Sequence, residues 1–196
     1  MQLYAITDRH LFASREELMK RAVLWSRTGV DYVQIREKDL KAAELAELAA
    51  ELVSTVRAAG NRTRVLLNGP ADAAVAAGCD GVHLPSNMPA SAIPEAKTAL
   101  RGGVVSVSCH TLAEVKMALH SGATLALFAP VFEKRVGVEV VSGQGLDALA
   151  AACRAAGTMP VFALGGVTEE NARECIQAGA AGIAAIRLFA SGGMSR

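Results

Sequence analysis

The residues Gln34-Ile35-Arg36-Glu37-Lys38 end a β-rich run and crowd an amide and two cations into five positions. Side chains alternate along an extended strand, so Gln34, Arg36 and Lys38 share one face and Ile35 and Glu37 the other. A planar guanidinium fork beside an ammonium point charge suits phosphoryl oxygens. Turning both cations inward requires an anionic ligand or a carboxylate partner. The competing reading is a structural network that pairs Arg36 and Lys38 with Glu37, Asp39 or Asp8. Asn68 closes another β-rich run just before Gly69-Pro70, and His83 closes one just before Leu84-Pro85. A lone histidine in a core is commonly a hydrogen-bonded structural residue; its place at a strand end favours a functional one. A further run leads into Ser106-Val107-Ser108-Cys109-His110-Thr111, in which Ser106 and Ser108 face the same way. The chain has no GxSxG elbow, which argues against a serine hydrolase and makes His110 a supporting residue. Gly165-Gly166 falls between a β-rich run and a helix start, where glycines let backbone N–H groups approach an anion. Arg187, at the end of the final run, is expected beside them; the plainer alternative is a tight turn and a surface arginine.

The elements that position these residues recur regularly. Eight β-rich runs occupy 3–6, 30–35, 64–67, 81–84, 104–107, 123–128, 161–164 and 182–186. Between them lie Ala/Leu/Glu/Lys-rich stretches with helical spacing. The clearest covers 40–59, with Leu45, Leu48, Ala49, Leu52, Val53 and Val56 on one stripe. Thr111 stands three residues before Glu114, a capping-box spacing that starts a helix over 111–121. Similar start and stop signals predict a helix over 168–178. This alternation predicts one parallel α/β domain over 1–196, a small closed (β/α)8 barrel of the TIM type. Its last helix is truncated, because only 188–196 follow the final run. An open Rossmann or flavodoxin sheet is the runner-up, but no GxGxxG follows the first run. In a closed barrel every residue singled out above lies at a C-terminal strand end, the face that carries function.

A repeat supports this reading. The segments starting at Gly29, Gly78, Gly122 and Gly179 each pass within a few residues from a helix-ending glycine into a β-run. One stretch breaks the pattern: 129–143 has no helical period and reads as a functional loop on the site's face.

Composition excludes several classes. Over 196 residues, 52% are hydrophobic and 4% aromatic, which suits helices around buried parallel strands. A net charge of +1 gives no reason to expect nucleic acid as a partner. No apolar run reaches the ~18 residues of a membrane span, so a soluble cytoplasmic protein without membrane partners is expected. Cys79, Cys109, Cys153 and Cys175 form no CxxC pair and read as buried free thiols of a reducing compartment. A homodimer is compatible with all of this.

The chain resembles the thiamine phosphate synthase/TenI family of small TIM barrels over nearly its whole length. The likeness rests on Tyr4-Ala5-Ile6-Thr7-Asp8, Gln34-Ile35-Arg36-Glu37-Lys38-Asp39, Leu66-Leu67-Asn68, Asp80-Gly81-Val82-His83-Leu84, Val107-Ser108-Cys109-His110-Thr111 and Leu164-Gly165-Gly166-Val167-Thr168. The resemblance implies a transferase of thiamine biosynthesis that joins hydroxymethylpyrimidine pyrophosphate to a thiazole phosphate, both phosphorylated small molecules, and releases pyrophosphate. It implies a catalytic set of Arg36, Lys38 and Ser108, and a binding set of Gln34, Asn68, His83, Gly165, Gly166 and Arg187. Gln34, His83 and Ser108 would hold the pyrimidine, Arg36, Lys38 and Asn68 the pyrophosphate, and the paired glycines the thiazole phosphate. Mg2+ is the expected cofactor of such synthases, yet Gly69 and Met88 stand where they place metal-binding aspartates. Their lysine of the loop after the sixth strand falls on Gly137, with Lys134 or Arg135 as replacements and Glu133 or Glu139 as the groups that would recruit a metal. Two alternatives accompany the synthase: a TenI-like thiazole tautomerase, echoed by Val131-Phe132-Glu133 but with Pro130 in a histidine's place, and a non-catalytic binder of thiamine-related phosphates.

Overall fold

A computed structural model describes residues 1–60, 62–89, 91–136 and 139–194, with the side chains at 134–136 and 139 outside that description. The strands are β1 (Gln2–Ile6), β2 (Tyr32–Ile35), β3 (Arg64–Asn68), β4 (Gly81–Leu84), β5 (Val104–Cys109), β6 (Leu125–Phe128), β7 (Lys134–Val136), β8 (Glu139–Val141), β9 (Val161–Leu164) and β10 (Gly182–Ala185). Eight of them pair in parallel and close in the order β1-β2-β3-β4-β5-β6-β9-β10, with β10 returning to β1. The barrel expected from the alternating pattern is therefore present. The loop expectation for 129–143 needs correcting: it contains β7 and β8, which form a separate antiparallel ribbon. Strands of three residues are too short to leave a period in the sequence.

Helices α1 (Arg15–Arg27), α2 (Ala42–Ala58), α3 (Ala71–Ala76), α4 (Ala92–Ala99), α5 (Leu112–His120), α6 (Gly145–Ala156), α7 (Ala172–Gln177) and α8 (Arg187–Ala190) follow the barrel strands. The stripe expected on α2 buries Leu48, Ala49, Leu52, Val53 and Val56. On α5, Thr111 Oγ1 accepts the Glu114 N–H at 3.2 Å and Glu114 Oε2 accepts the Thr111 N–H at 2.9 Å. Thr168 begins a turn and not a helix. The Thr168 N–H is taken by Asn171 Oδ1 at 2.8 Å, and α7 starts only at Ala172. The last helix described, α8, has four residues. All four cysteines are free thiols, but Cys79 and Cys153 are only half-buried. Among the described residues no helix is long and apolar enough to cross a membrane.

Alternation along the strands splits the apolar residues into two sets. Val33, Ile35, Val65, Leu67, Val105 and Val107 face the helices. Tyr4, Tyr32, Leu66, Val104, Leu125 and Phe162 fill the barrel. The Tyr4 and Tyr32 rings stack at 5.5 Å, and Phe162 meets both edgewise at 5.7 Å, so three aromatics plug the lower interior.

The repeat in the sequence has a physical counterpart on the opposite rim. Asp31 donates its N–H to Leu3 O and accepts the Leu3 N–H on Oδ2, at 2.9 and 2.8 Å. Asp80 clamps Val65 in the same way, at 2.8 Å for both bonds. Thr124 clamps Val105 at 2.8 and 3.0 Å. Ala181 makes the corresponding backbone bond to Val161 O at 2.8 Å but has no side-chain acceptor to complete the clamp. Each clamp joins an odd strand to the next even one at the edge opposite the site.

Candidate active site

Above the aromatic plug the interior turns polar. The register sets Asn68 beside His83 and His83 beside Ser106, across β3, β4 and β5. The inward side chains of His83 and Ser106 belong to a hydrogen-bonded row. Tyr4 Oη lies 3.0 Å from Gln34 Oε1 and 3.3 Å from Ser106 Oγ. His83 Nδ1 lies 2.9 Å from Ser106 Oγ, and Nε2 lies 2.9 Å from Ser108 Oγ. Gln34, His83 and Ser106 are buried, at 1%, 3% and 0% exposure, while Ser108 is half-buried nearer the mouth. Burial drives the His83 pKa down to about 3, with the positive charge of Arg36 adding to it, so the ring is neutral at ordinary pH. Burial also raises the Tyr4 pKa, so the phenol keeps its proton.

Arg36 and Lys38 lie just past β2, which stops at Ile35. The carboxylates around them are engaged elsewhere. Glu37, buried at 4% exposure, accepts the Thr7 hydroxyl at 2.5 Å and the Arg9 N–H on both oxygens at 3.1 Å. The Arg9 guanidinium grips Asp39 through two bonds of 2.6 Å and reaches Glu37 at 3.6 Å. That fork holds the exposed Asp39 carboxyl well below the usual carboxylate range. Asp8 accepts the His10 N–H at 3.2 Å. The acidic network considered from sequence thus exists, but its cation is Arg9. Among the described residues neither Arg36 nor Lys38 makes an ion pair. The Arg36 backbone N–H donates to Thr7 Oγ1 at 3.0 Å. Two cations without carboxylate partners at the rim of a barrel form a ready anion site.

The third part follows β9. Gly165 and Gly166 have φ of 96° and 66°, the left-handed region in which two consecutive glycines are at home. A Cβ would fall 2.7 Å from Pro130 Cβ at the first position and 2.4 Å from Glu133 O at the second. The carbonyls of this turn are bound. Leu164 O accepts the Val131 N–H and Gly165 O the Phe132 N–H, both at 2.9 Å, and Gly166 O accepts Asn171 Nδ2 at 3.0 Å. Among the described residues the N–H groups of Gly165, Gly166 and Val167 meet no acceptor, which leaves a row of donors for an anion. The base of loop 129–143 is tied beside this turn, where Ala129 O receives His110 Nδ1 at 2.7 Å and Gln144 Nε2 at 2.9 Å. His110 is therefore a support for that loop. Arg187 departs from expectation: β10 stops at Ala185, and Arg187 opens α8 with an exposed side chain.

The positions expected to hold Mg2+ do not fit it. Gly69 has no side chain and Met88 packs its thioether against the core. Mg2+ takes oxygen ligands and is held by one or two carboxylates. Among the described residues no group of three His, Cys, Asp or Glu is arranged to hold a metal. Lys134 and Arg135, the alternatives for the missing loop lysine, have side chains outside the described residues, as do Gly137 and the Glu139 side chain. Sequence reasoning missed Tyr4, Thr7 and Arg9. Tyr4 lies within β1 among apolar neighbours, and Thr7 and Arg9 follow β1, where no strand period continues.

The fold places the chain among the (β/α)8 TIM barrels, whose C-terminal rim is the face that carries function. Residues 3–189 match the thiamine monophosphate synthase family, and the chain belongs to that family. A Geobacter sulfurreducens protein provisionally named thiamine-phosphate synthase is 41% identical over 187 residues, covering 94% of this chain and 84% of its own. The thiamine-phosphate synthase of Chloroflexus aurantiacus is 32% identical, covering 94% of this chain and 83% of its own. Among solved structures, thiamine phosphate pyrophosphorylase from Pyrococcus furiosus superposes with a TM-score of 0.79 at 28% identity, covering 97% of this chain and 88% of that one.

Proposed function

We propose that this chain is a thiamine-phosphate synthase in which protein cations carry most of the charge stabilisation at the leaving pyrophosphate. The carrying observation is the unpaired state of Arg36 and Lys38 beside carboxylates already bound to Arg9, among the described residues. In this reading Gln34, His83 and Ser108 hold the pyrimidine, with Ser108 nearest the reacting carbon, while Arg36, Lys38 and Asn68 meet the pyrophosphate. The Gly165-Gly166 amides receive the thiazole phosphate, with Arg187 as an outer cation. The methylene C–O bond of the pyrimidine breaks and its electron pair leaves with pyrophosphate. The thiazole nitrogen then supplies its lone pair to the methylene carbon, forming the C–N bond of thiamine phosphate. Fixed cations around the departing oxygens stabilise the charge that develops there.

Synthases of this kind use Mg2+; Gly69 and Met88 support a lesser dependence on it here, and no step above passes through a metal. Tautomerase chemistry requires a proton carrier at the thiazole. Pro130 carries none, and the low His83 pKa disfavours that ring as a base. The test is the appearance of thiamine phosphate from both purified substrates, with Arg36→Ala and Lys38→Ala alongside. Turnover that each substitution lowers at least about a hundredfold supports the proposal. Tight binding of the substrates without turnover would establish the non-catalytic binder instead.

A further inference from the structure

The polar row inside the barrel has a direction. It runs Gln34, Tyr4, Ser106, His83, Ser108, with contacts of 3.0, 3.3, 2.9 and 2.9 Å. Each hydroxyl carries one proton, and a neutral imidazole has one N–H and one bare nitrogen. With Gln34 Oε1, which can only accept, facing Tyr4, one proton arrangement satisfies every contact, and the reverse order needs the Gln34 amide turned so that Nε2 faces the phenol. The strongest pair selects between them. Tyr4 is the most acidic hydroxyl of the row and an amide carbonyl its best acceptor, and their contact is shorter than the one between Tyr4 and Ser106. With the phenol proton on Gln34 Oε1, Tyr4 Oη must accept from the Ser106 hydroxyl. Ser106 then has no proton for His83 and accepts from Nδ1–H. The bare Nε2 accepts the Ser108 hydroxyl.

We infer that Tyr4, a buried positioning residue, sets the proton order of the site, so that Gln34 presents only N–H donors and Ser108 only oxygen lone pairs to a ligand. Gln34 Nε2 has no partner among the described residues and is not sealed from solvent, so it reaches the mouth. On the synthase reading, which this inference deepens, the complement is a pyrimidine edge with a ring-nitrogen acceptor beside an exocyclic amine. A 4-oxo pyrimidine, with ring N–H beside C=O, presents the reverse and leaves both contacts as clashes of like groups.

The tautomer is read directly by ring-nitrogen NMR on the labelled, ligand-free full chain, where His83 is one of four histidines and is assigned by its loss in His83→Asn. Nδ1–H is expected in the wild type; Nε2–H, or a doubly protonated ring at neutral pH, overturns the inference. In Tyr4→Phe the Ser106 hydroxyl has only Nδ1 left to donate to, so the tautomer is expected to flip to Nε2–H. A folded Tyr4→Phe chain that keeps Nδ1–H removes Tyr4 from its assigned role. Calorimetry of amino and oxo pyrimidine pyrophosphates gives the second reading, independent of whether Tyr4→Phe folds. The wild type is expected to favour the amino form at least about tenfold, and equal affinities overturn the inference. Binding of neither compound with Nδ1–H intact upholds the proton order and sinks the synthase reading instead.

Discussion

Glu37→Ala removes the clasp that holds the β2 end against the β1 end. The substitution deletes the acceptor of the Thr7 hydroxyl and of the Arg9 N–H, and the farther of two carboxylates beside a guanidinium that keeps Asp39. Hydrogen bonds to a charged acceptor are worth about 1.5–3 kcal/mol each, and a donor left unsatisfied in a buried place adds its own penalty. Two such bonds at a residue of 4% exposure put the loss at roughly 3–5 kcal/mol, the range found when a buried charged partner is removed. At about 2–4 °C per kcal/mol for a chain of this length, Tm should fall by about 6–20 °C. Function should suffer separately, because Thr7 Oγ1 also anchors the Arg36 N–H at 3.0 Å. KM for the pyrophosphorylated substrate should rise at least about tenfold, while Asp39→Ala, at an exposed pair, leaves Tm nearly unchanged. Denaturant unfolding and steady-state kinetics on the purified variants measure both. A Glu37→Ala chain within about 0.5 kcal/mol of wild type with unchanged KM would refute the clasp.

Three further outcomes are expected. Ala181→Asp completes the fourth clamp by accepting the Val161 N–H, as Asp31 and Asp80 do for Leu3 and Val65, and should raise stability by about 0.5–1.5 kcal/mol in denaturant titrations; a neutral or negative effect contradicts the equivalence. Gly166→Ala places a Cβ 2.4 Å from Glu133 O at a φ of 66° and should cost about 1–3 kcal/mol while weakening the thiazole phosphate in calorimetry. Because the His83 pKa falls from 6.5 to about 3 on folding, the unfolded chain binds the extra proton between those values. His83 thus contributes stability that is fully present above about pH 6.5 and is lost as pH falls toward 3, so a His83→Asn chain should show a flatter pH dependence of unfolding across that window.

Much of the fold was legible because its signals were local and repeated. Alternating Tyr4 and Ile6, or Leu66 and Asn68, can only face one side of a strand, and the helix-ending glycines at 29, 78, 122 and 179 mark each return to the barrel. The ends of helices were less legible where side chains compete. Thr168 and Asn171 exchange bonds across a turn and delay α7. The site was legible where a side chain lies within a strand. Gln34, Asn68, His83 and Ser108 occupy inward positions that alternation assigns. It failed where strand geometry ends: past Ile35 the period no longer fixes direction, and Glu37 turns to Thr7 and Arg9 through contacts about thirty residues apart in the sequence. Arg187 belongs to the same class, since a helix begins two residues after β10 stops. Tyr4 carries no polar signal from its neighbours, and only the closure of the barrel brings its phenol to Gln34 and Ser106.

The central claim is that Arg36 and Lys38 grip a pyrophosphate ester largely without a metal. Calorimetric titration of hydroxymethylpyrimidine pyrophosphate into the full chain, with Mg2+ and with a chelator, tests it most directly. Affinities within about threefold of each other are expected in the two conditions, with a loss of at least about tenfold in Arg36→Ala. Binding that vanishes with the chelator, or that is indifferent to Arg36→Ala, would contradict it.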